Sequence, residues 1–153
     1  MTDGTFESFR RAETLLAQRR PLEALQELAA VVEAAPDAPS VHLLAGRVVE
    51  AAPDAPSVHL LAGRAYLGSA QLNRAERAFQ RVLELDPSDH YAHFALGRTL
   101  QRQGRLAEAK TQLRLAAAMN PLPEYQEALG EVSARLAVRA GRGESEDEPS
   151  GNG

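Results

Sequence analysis

Cysteine is absent from the 153-residue chain, which excludes disulfides, thiolate metal sites, redox motifs and cysteine nucleophiles together. β-Branched residues are too sparse and scattered to build a sheet, whereas the helix formers Ala, Leu, Arg, Glu and Gln dominate. Nowhere do about eighteen apolar residues run together, and the segment MTDGTFESFRRAETLLAQRR has no apolar core of the secretion-signal kind. The expectation is an all-α, soluble, cytoplasmic protein with no membrane partner. A basic excess is also missing. Formal net charge is −4, and the stretch from Gly141 to Gly153 contributes −3 of it. The near-neutral remainder argues against a nucleic-acid partner, which would need a basic stripe. There is no Gly-rich phosphate loop, nucleophile elbow or Ser/His/Asp arrangement. Glu144 and Glu146 fall where no pocket would tune them. Neither an enzyme nor a cofactor is expected.

What the chain does have is a period. Pro53, Pro87 and Pro121 follow helical patterns at intervals of 34 residues. Gly63 and Gly97 recur at one offset and Ala75 and Ala109 at another, while Tyr66 with Leu100 and Phe79 with Leu113 hold the bulky offsets. The small residues let two helices approach closely, and the bulky ones fill the space between them. Each proline ends a second helix, with Asp86 or Ser88 available for the turn and cap. One such hairpin leaves an apolar face wet, so units must stack.

The period is broken once. VVEAAPDAPSVHLLAGR occupies residues 31–47 and again 48–64 without a difference. The extra half unit joins the front of a first helix (Val41 to Arg47) to the tail of a second (Val48 to Ala52). Val41, Leu44, Ala45, Val48 and Ala52 fall on one stripe, which predicts a hybrid helix. Short turns make successive helices antiparallel. An odd insertion therefore sets the helix at 57–70 parallel to the helix at 21–35 unless the connection rearranges, and the hybrid helix can take the stacking place itself. Two unfinished apolar faces are then expected, and their burial by homodimerisation or domain swapping follows.

Residues 56–89 and 90–123 resemble the tetratricopeptide repeat family, whose pattern has a large residue at position 4, a small one at 8, aromatics at 11 and 24, Ala at 20, a small residue at 27 and Pro at 32. Residues 5–38 match more weakly through Ala12, Ala24, Leu28 and Pro36. The departures are His59 and His93 at position 4 and Val82 where a small residue is common. The resemblance implies a short solenoid of helical hairpins: a repeat at 5–38, the extra half repeat at 39–55, repeats at 56–89 and 90–123, and a cap helix over 124–140. In that cap, Tyr125, Ala128, Leu129, Val132 and Leu136 share one stripe. Residues 141–153 hold no apolar side chain and read as a disordered acidic tail, more a solubiliser than a ligand for the chain's own basic groove.

The resemblance also implies a function, that of a scaffold or adaptor holding a peptide along the first helices at positions 2, 5, 9, 12 and 13. Carried over, these give Ser57, Leu60, Arg64, Leu67 and Gly68 in one repeat, and Tyr91, Phe94, Arg98, Gln101 and Arg102 in the next. Arg64 and Arg98 would take carboxylates of an acidic or mixed peptide, with Tyr91 and Phe94 supplying apolar contact. The family's Lys/Asn clamp for a chaperone C-terminus finds Phe9 and Glu13 instead and is not supported. His90 and His93 stand three apart, but a third ligand from His59, Asp86 or Asp89 lacks the spacing of a metal site. His42, His59 and His93 all sit at repeat position 4, so a scaffold role is favoured and no metal is expected.

Overall fold

The computed structural model describes residues 3–146. Among them run eight α-helices and no strand: α1 Asp3–Ala17, α2 Pro21–Ala34, α3 Pro39–Ala51, α4 Pro56–Gly68, α5 Leu72–Leu85, α6 His90–Arg102, α7 Leu106–Met119 and α8 Pro123–Glu146. Pairs α1/α2, α4/α5 and α6/α7 are hairpins stacked in chain order.

Two kinds of turn alternate, and each has its own backbone signature. Hairpin turns pass through the left-handed region at Arg19 (φ 60), Ala70 (φ 58) and Gly104 (φ 79). Turns after second helices instead leave through caps with negative φ, −146 at Ala35, −144 at Asp86 and −149 at Asn120. Helix α3 mixes the two. It opens with a proline in its first turn, as α4 does, and closes at Ala52 with φ −141 and ψ 66, close to the −146 and 66 of Ala35 after α2. Ahead of α6, Asp86 Oδ1 receives the Ser88 amide and hydroxyl, but the helix cap is Asp89, which accepts from the Ala92 amide at 2.9 Å.

The core follows the repeat chemistry. Fully buried Phe79 lies where a Cβ on Gly63 would be, and Leu113 does the same at Gly97. Each such side chain contributes roughly 1.5–3 kcal/mol by leaving water. Thus the small residue at position 8 is required by a bulky residue of the same hairpin.

Helix α3 takes the stacking place of a first helix, packing on both α1 and α2. The expected direction of the next helix is present as well. Gly68 at the end of α4 lies against Pro36 just past the end of α2, and Arg64 pairs with Glu33 at 3.5 Å. Helices α2 and α4 therefore meet C-terminal end to C-terminal end. The exposed faces expected from the duplication do not form. Val58, Leu61, Ala62 and Ala65 of α4 close over Val31, Val32, Val41, Leu44, Ala45 and Val48 in one buried cluster. The physical reason is that α4 serves two neighbours, acting as second helix to α3 and first helix to α5.

Helix α8 also runs further than expected, to Glu146 rather than to residue 140. Extending an existing helix fixes only one residue per added hydrogen bond, a far smaller cost than nucleation, and Arg and Glu are good helix formers. The acidic run at 144–146 is thus helical, and residues 147–153 lie outside the described part. The apolar stripe of α8 is where the pattern puts it, with Tyr125, Ala128 and Val132 buried and Leu129 and Leu136 half-buried.

Candidate functional site

The residues selected from the sequence lie on α4 and α6. Leu60, Leu67, Tyr91 and Phe94 are half-buried around one apolar cluster, and Arg102 links the two helices by donating to the Leu67 carbonyl at 2.9 Å. Arg64 does not join this group and turns instead to Glu33 of α2. Helix α8 covers the other end of the face. Tyr125 stacks on Phe94 with centroids 4.6 Å apart, and Glu131 accepts from Arg98 at 3.0 Å. Gln101 is buried and accepts from the same arginine at 2.9 Å. Hydrogen bonding from Gln101, and then from Arg98, holds the Glu131 carboxyl below its ordinary pKa. Each of these arginines thus has an internal acceptor.

A second first-helix face, which the sequence reading passed over, lies between α1 and α3. It is a groove of about 610 Å³ lined by Phe9 and Glu13 of α1 and by Ser40, Leu43, Arg47 and Glu50 of α3, with Tyr66 and Arg74 on its far wall. Leu43 is 64% exposed there. Its chemical twin Leu60, from the identical second copy, is half-buried. The signal for this groove was present. Applying positions 2, 5, 9 and 12 to the hybrid helix yields Ser40, Leu43, Arg47 and Glu50 directly.

The two faces open on opposite sides of the α3–α4 seam. The groove of α1 and α3 is walled by Tyr66 and by Arg74 of second helix α5, whereas the α4 face meets second helix α2 through Arg64 and Glu33. Adding one helix to an alternating stack exchanges the sides on which first and second helices lie.

The histidines at position 4 hold turns. His59 Nε2 donates to the Pro53 carbonyl at 2.6 Å, and His93 bonds the Pro87 carbonyl and Gln112. At His42 the matching turn is pressed instead against Gly68, and the buried His42 Nδ1 has no hydrogen-bond partner. His90 bonds the Tyr125 hydroxyl at 2.8 Å, and burial pushes that hydroxyl's pKa up. Among the described residues no group of three or more His, Asp or Glu is placed to hold a metal. No helix among them is long and apolar enough to cross a membrane.

Comparison with known proteins gives one consistent result. Tetratricopeptide repeat family models match residues 67–132 and, separately, residues 9–57. No curated protein matches the chain. Among solved structures, MamA from Desulfovibrio magneticus is 18% identical, with a TM-score of 0.67 over 94% of this chain and 92% of that one. The Yersinia enterocolitica type III secretion chaperone SycD, in complex with a peptide of the translocator YopD, is 23% identical, with a TM-score of 0.62 over 76% of this chain and 90% of its own. The first repeat domain of Spaghetti (RPAP3), bound to an HSP90 peptide, is 17% identical, with a TM-score of 0.60 over 90% of this chain and 96% of that one. These likenesses show the fold. Joined with the 34-residue period and the two family matches, they make the chain a member of the tetratricopeptide repeat family.

Proposed function

We propose that the chain is a non-catalytic interaction scaffold of the cytoplasm that holds a peptide segment of a partner protein against its first-helix faces, with the α1/α3 groove as the principal seat. The observation that carries this is the groove itself, which leaves Leu43 mostly exposed between charged residues of both signs, Glu13 and Glu50 against Arg47 and Arg74. That lining favours a mixed-charge segment with an apolar anchor. The peptide complexes of SycD and Spaghetti, built on the same fold, support the class of function. The face comprising Leu60, Arg64, Leu67, Tyr91, Phe94, Arg98, Gln101 and Arg102 is the second candidate on the opposite side. An acidic peptide there would compete with Glu131 for Arg98 and with Tyr125 for Phe94.

Self-association through the duplicated half repeat is the weaker reading, because the apolar surfaces that would drive it are buried within one chain. Peptides selected by display on the full chain would test the proposal. Binding should fall on Leu43→Arg, a change at an exposed position. Selected peptides indifferent to Leu43→Arg but lost on Arg102→Glu would move the function to the opposite face.

A further inference from the structure

Helix α8 is 24 residues long, whereas the other helices have 13 to 15. At 1.5 Å per residue it outreaches its neighbours by roughly 14 Å. Every residue from Ala137 to Gly143 is exposed, so this part overhangs the α6–α7 hairpin. Between the overhang and the turn at Gly104 lies a groove of about 440 Å³ whose floor is Leu106, Ala134 and Val138. Val138 is 56% exposed, an apolar side chain held in water.

The groove's charge has one sign. Arg135, Arg139 and Arg142 line it at helical spacings of four and three, with no carboxylate among the lining residues. Arg64, Arg81, Arg98 and Arg105 each have an acidic partner within the chain. Arg135 and Arg139 form no ion pair among the described residues: Arg135 acts on the Glu131 carboxyl only through the longer-range field that helps to lower its pKa, and Arg139 donates to the neutral Gly104 carbonyl at 3.5 Å. We propose that this groove, which borders the α4/α6 face at Gln101 and is separate from the α1/α3 groove, is a docking site for an acidic segment of a partner protein. A large apolar side chain of that segment sits on Val138 and Leu106, flanked by carboxylates that meet Arg135 and Arg139. The guanidinium fork suits carboxylates, and the apolar floor distinguishes the site from a purely electrostatic phosphate track.

The test uses the full chain and a short fluorescein-labelled peptide of Glu and Leu. Its Lys-for-Glu counterpart and an oligouridine of similar length serve as controls, all read by fluorescence anisotropy. The acidic peptide should bind and the two controls should not. Arg135→Glu with Arg139→Glu should weaken binding by about tenfold or more. Val138→Asp should also weaken it, and Leu43→Arg should leave it unchanged. All four positions are exposed, so unchanged circular dichroism should accompany these effects. The proposal is overturned if the acidic peptide does not bind, if the Lys peptide binds equally well, or if oligouridine binds more tightly. Binding that survives the charge reversal overturns it too, as does loss on Leu43→Arg, which would place the peptide in the α1/α3 groove instead.

Discussion

Gly46 and Gly63 are the same residue in two identical 17-residue copies, yet alanine should act on them with opposite sign. At Gly63 an added Cβ would lie 2.5 Å from Phe79 Cε1 and 2.8 Å from Cδ1 and Cζ, and the ring is fully buried with no room to swing away. Overpacking of this kind costs roughly 1–3 kcal/mol, and three close ring atoms put it near the upper end. Better helix propensity returns about 1 kcal/mol, leaving a net loss of about 2 kcal/mol. At Gly46 the added Cβ meets only the Tyr66 hydroxyl at 3.5 Å, an ordinary contact. There the propensity gain of up to about 1 kcal/mol stands alone. At about 2–4 °C per kcal/mol, Gly46→Ala should raise Tm by up to about 4 °C and Gly63→Ala should lower it by about 4–8 °C. Paired thermal and urea melts would show this. Equal losses at both sites would mean instead that α3 is crossed by a bulky second-helix residue as α4 is.

Ala70 holds a left-handed conformation (φ 58) that Gly104 holds in the next repeat. Ala70→Gly should therefore stabilise the fold by roughly 0.5–1 kcal/mol, and Gly104→Ala should destabilise it by a similar amount, both read from urea midpoints. Glu131 titrates below its ordinary value when folded. Its contribution is present above the unfolded carboxylate pKa of about 4.3 and fades as pH falls below that. The Tm difference between wild type and Glu131→Gln should accordingly shrink between about pH 6 and pH 3. Deleting residues 48–64 restores the 34-residue rhythm. Light scattering should then give monomers for both parent and variant, since the seam is closed within one chain. A dimeric parent beside a monomeric variant would instead assign assembly to the duplication.

Most of the fold was legible because it rests on local chemistry. The proline period, the Gly63/Phe79 and Gly97/Leu113 pairs and the stripe of α3 all report contacts within one hairpin or one helix. What escaped was tertiary. Nothing in the sequence distinguishes Leu43 from Leu60 or His42 from His59, since the copies are identical. Their fates differ because α4 packs against both α5 and α6, whereas α3 meets neither and packs on α1, α2 and α4. Repeat position alone assigns the arginines to a ligand. Position gives direction but not partner, and Glu33 and Glu131 come from helices outside the repeat that carries each arginine. The extension of α8 was missed because the run after Gly141 lacks apolar residues, a criterion that measures burial rather than helix continuation.

One extra helix is absorbed inside a single chain, with α4 meeting α2 C-terminal end to C-terminal end. The absence of cysteine makes this directly measurable with two pairs of spin labels on introduced cysteines, Asp37→Cys with Ala70→Cys and Asp37→Cys with Ser57→Cys, each diluted into unlabelled protein. The pair at 37 and 70 should be closer than the pair at 37 and 57, by up to about the length of α4, roughly 18 Å, and dilution should leave both distances unchanged. A shorter 37 to 57 distance, or a short distance that disappears on dilution, would contradict the account.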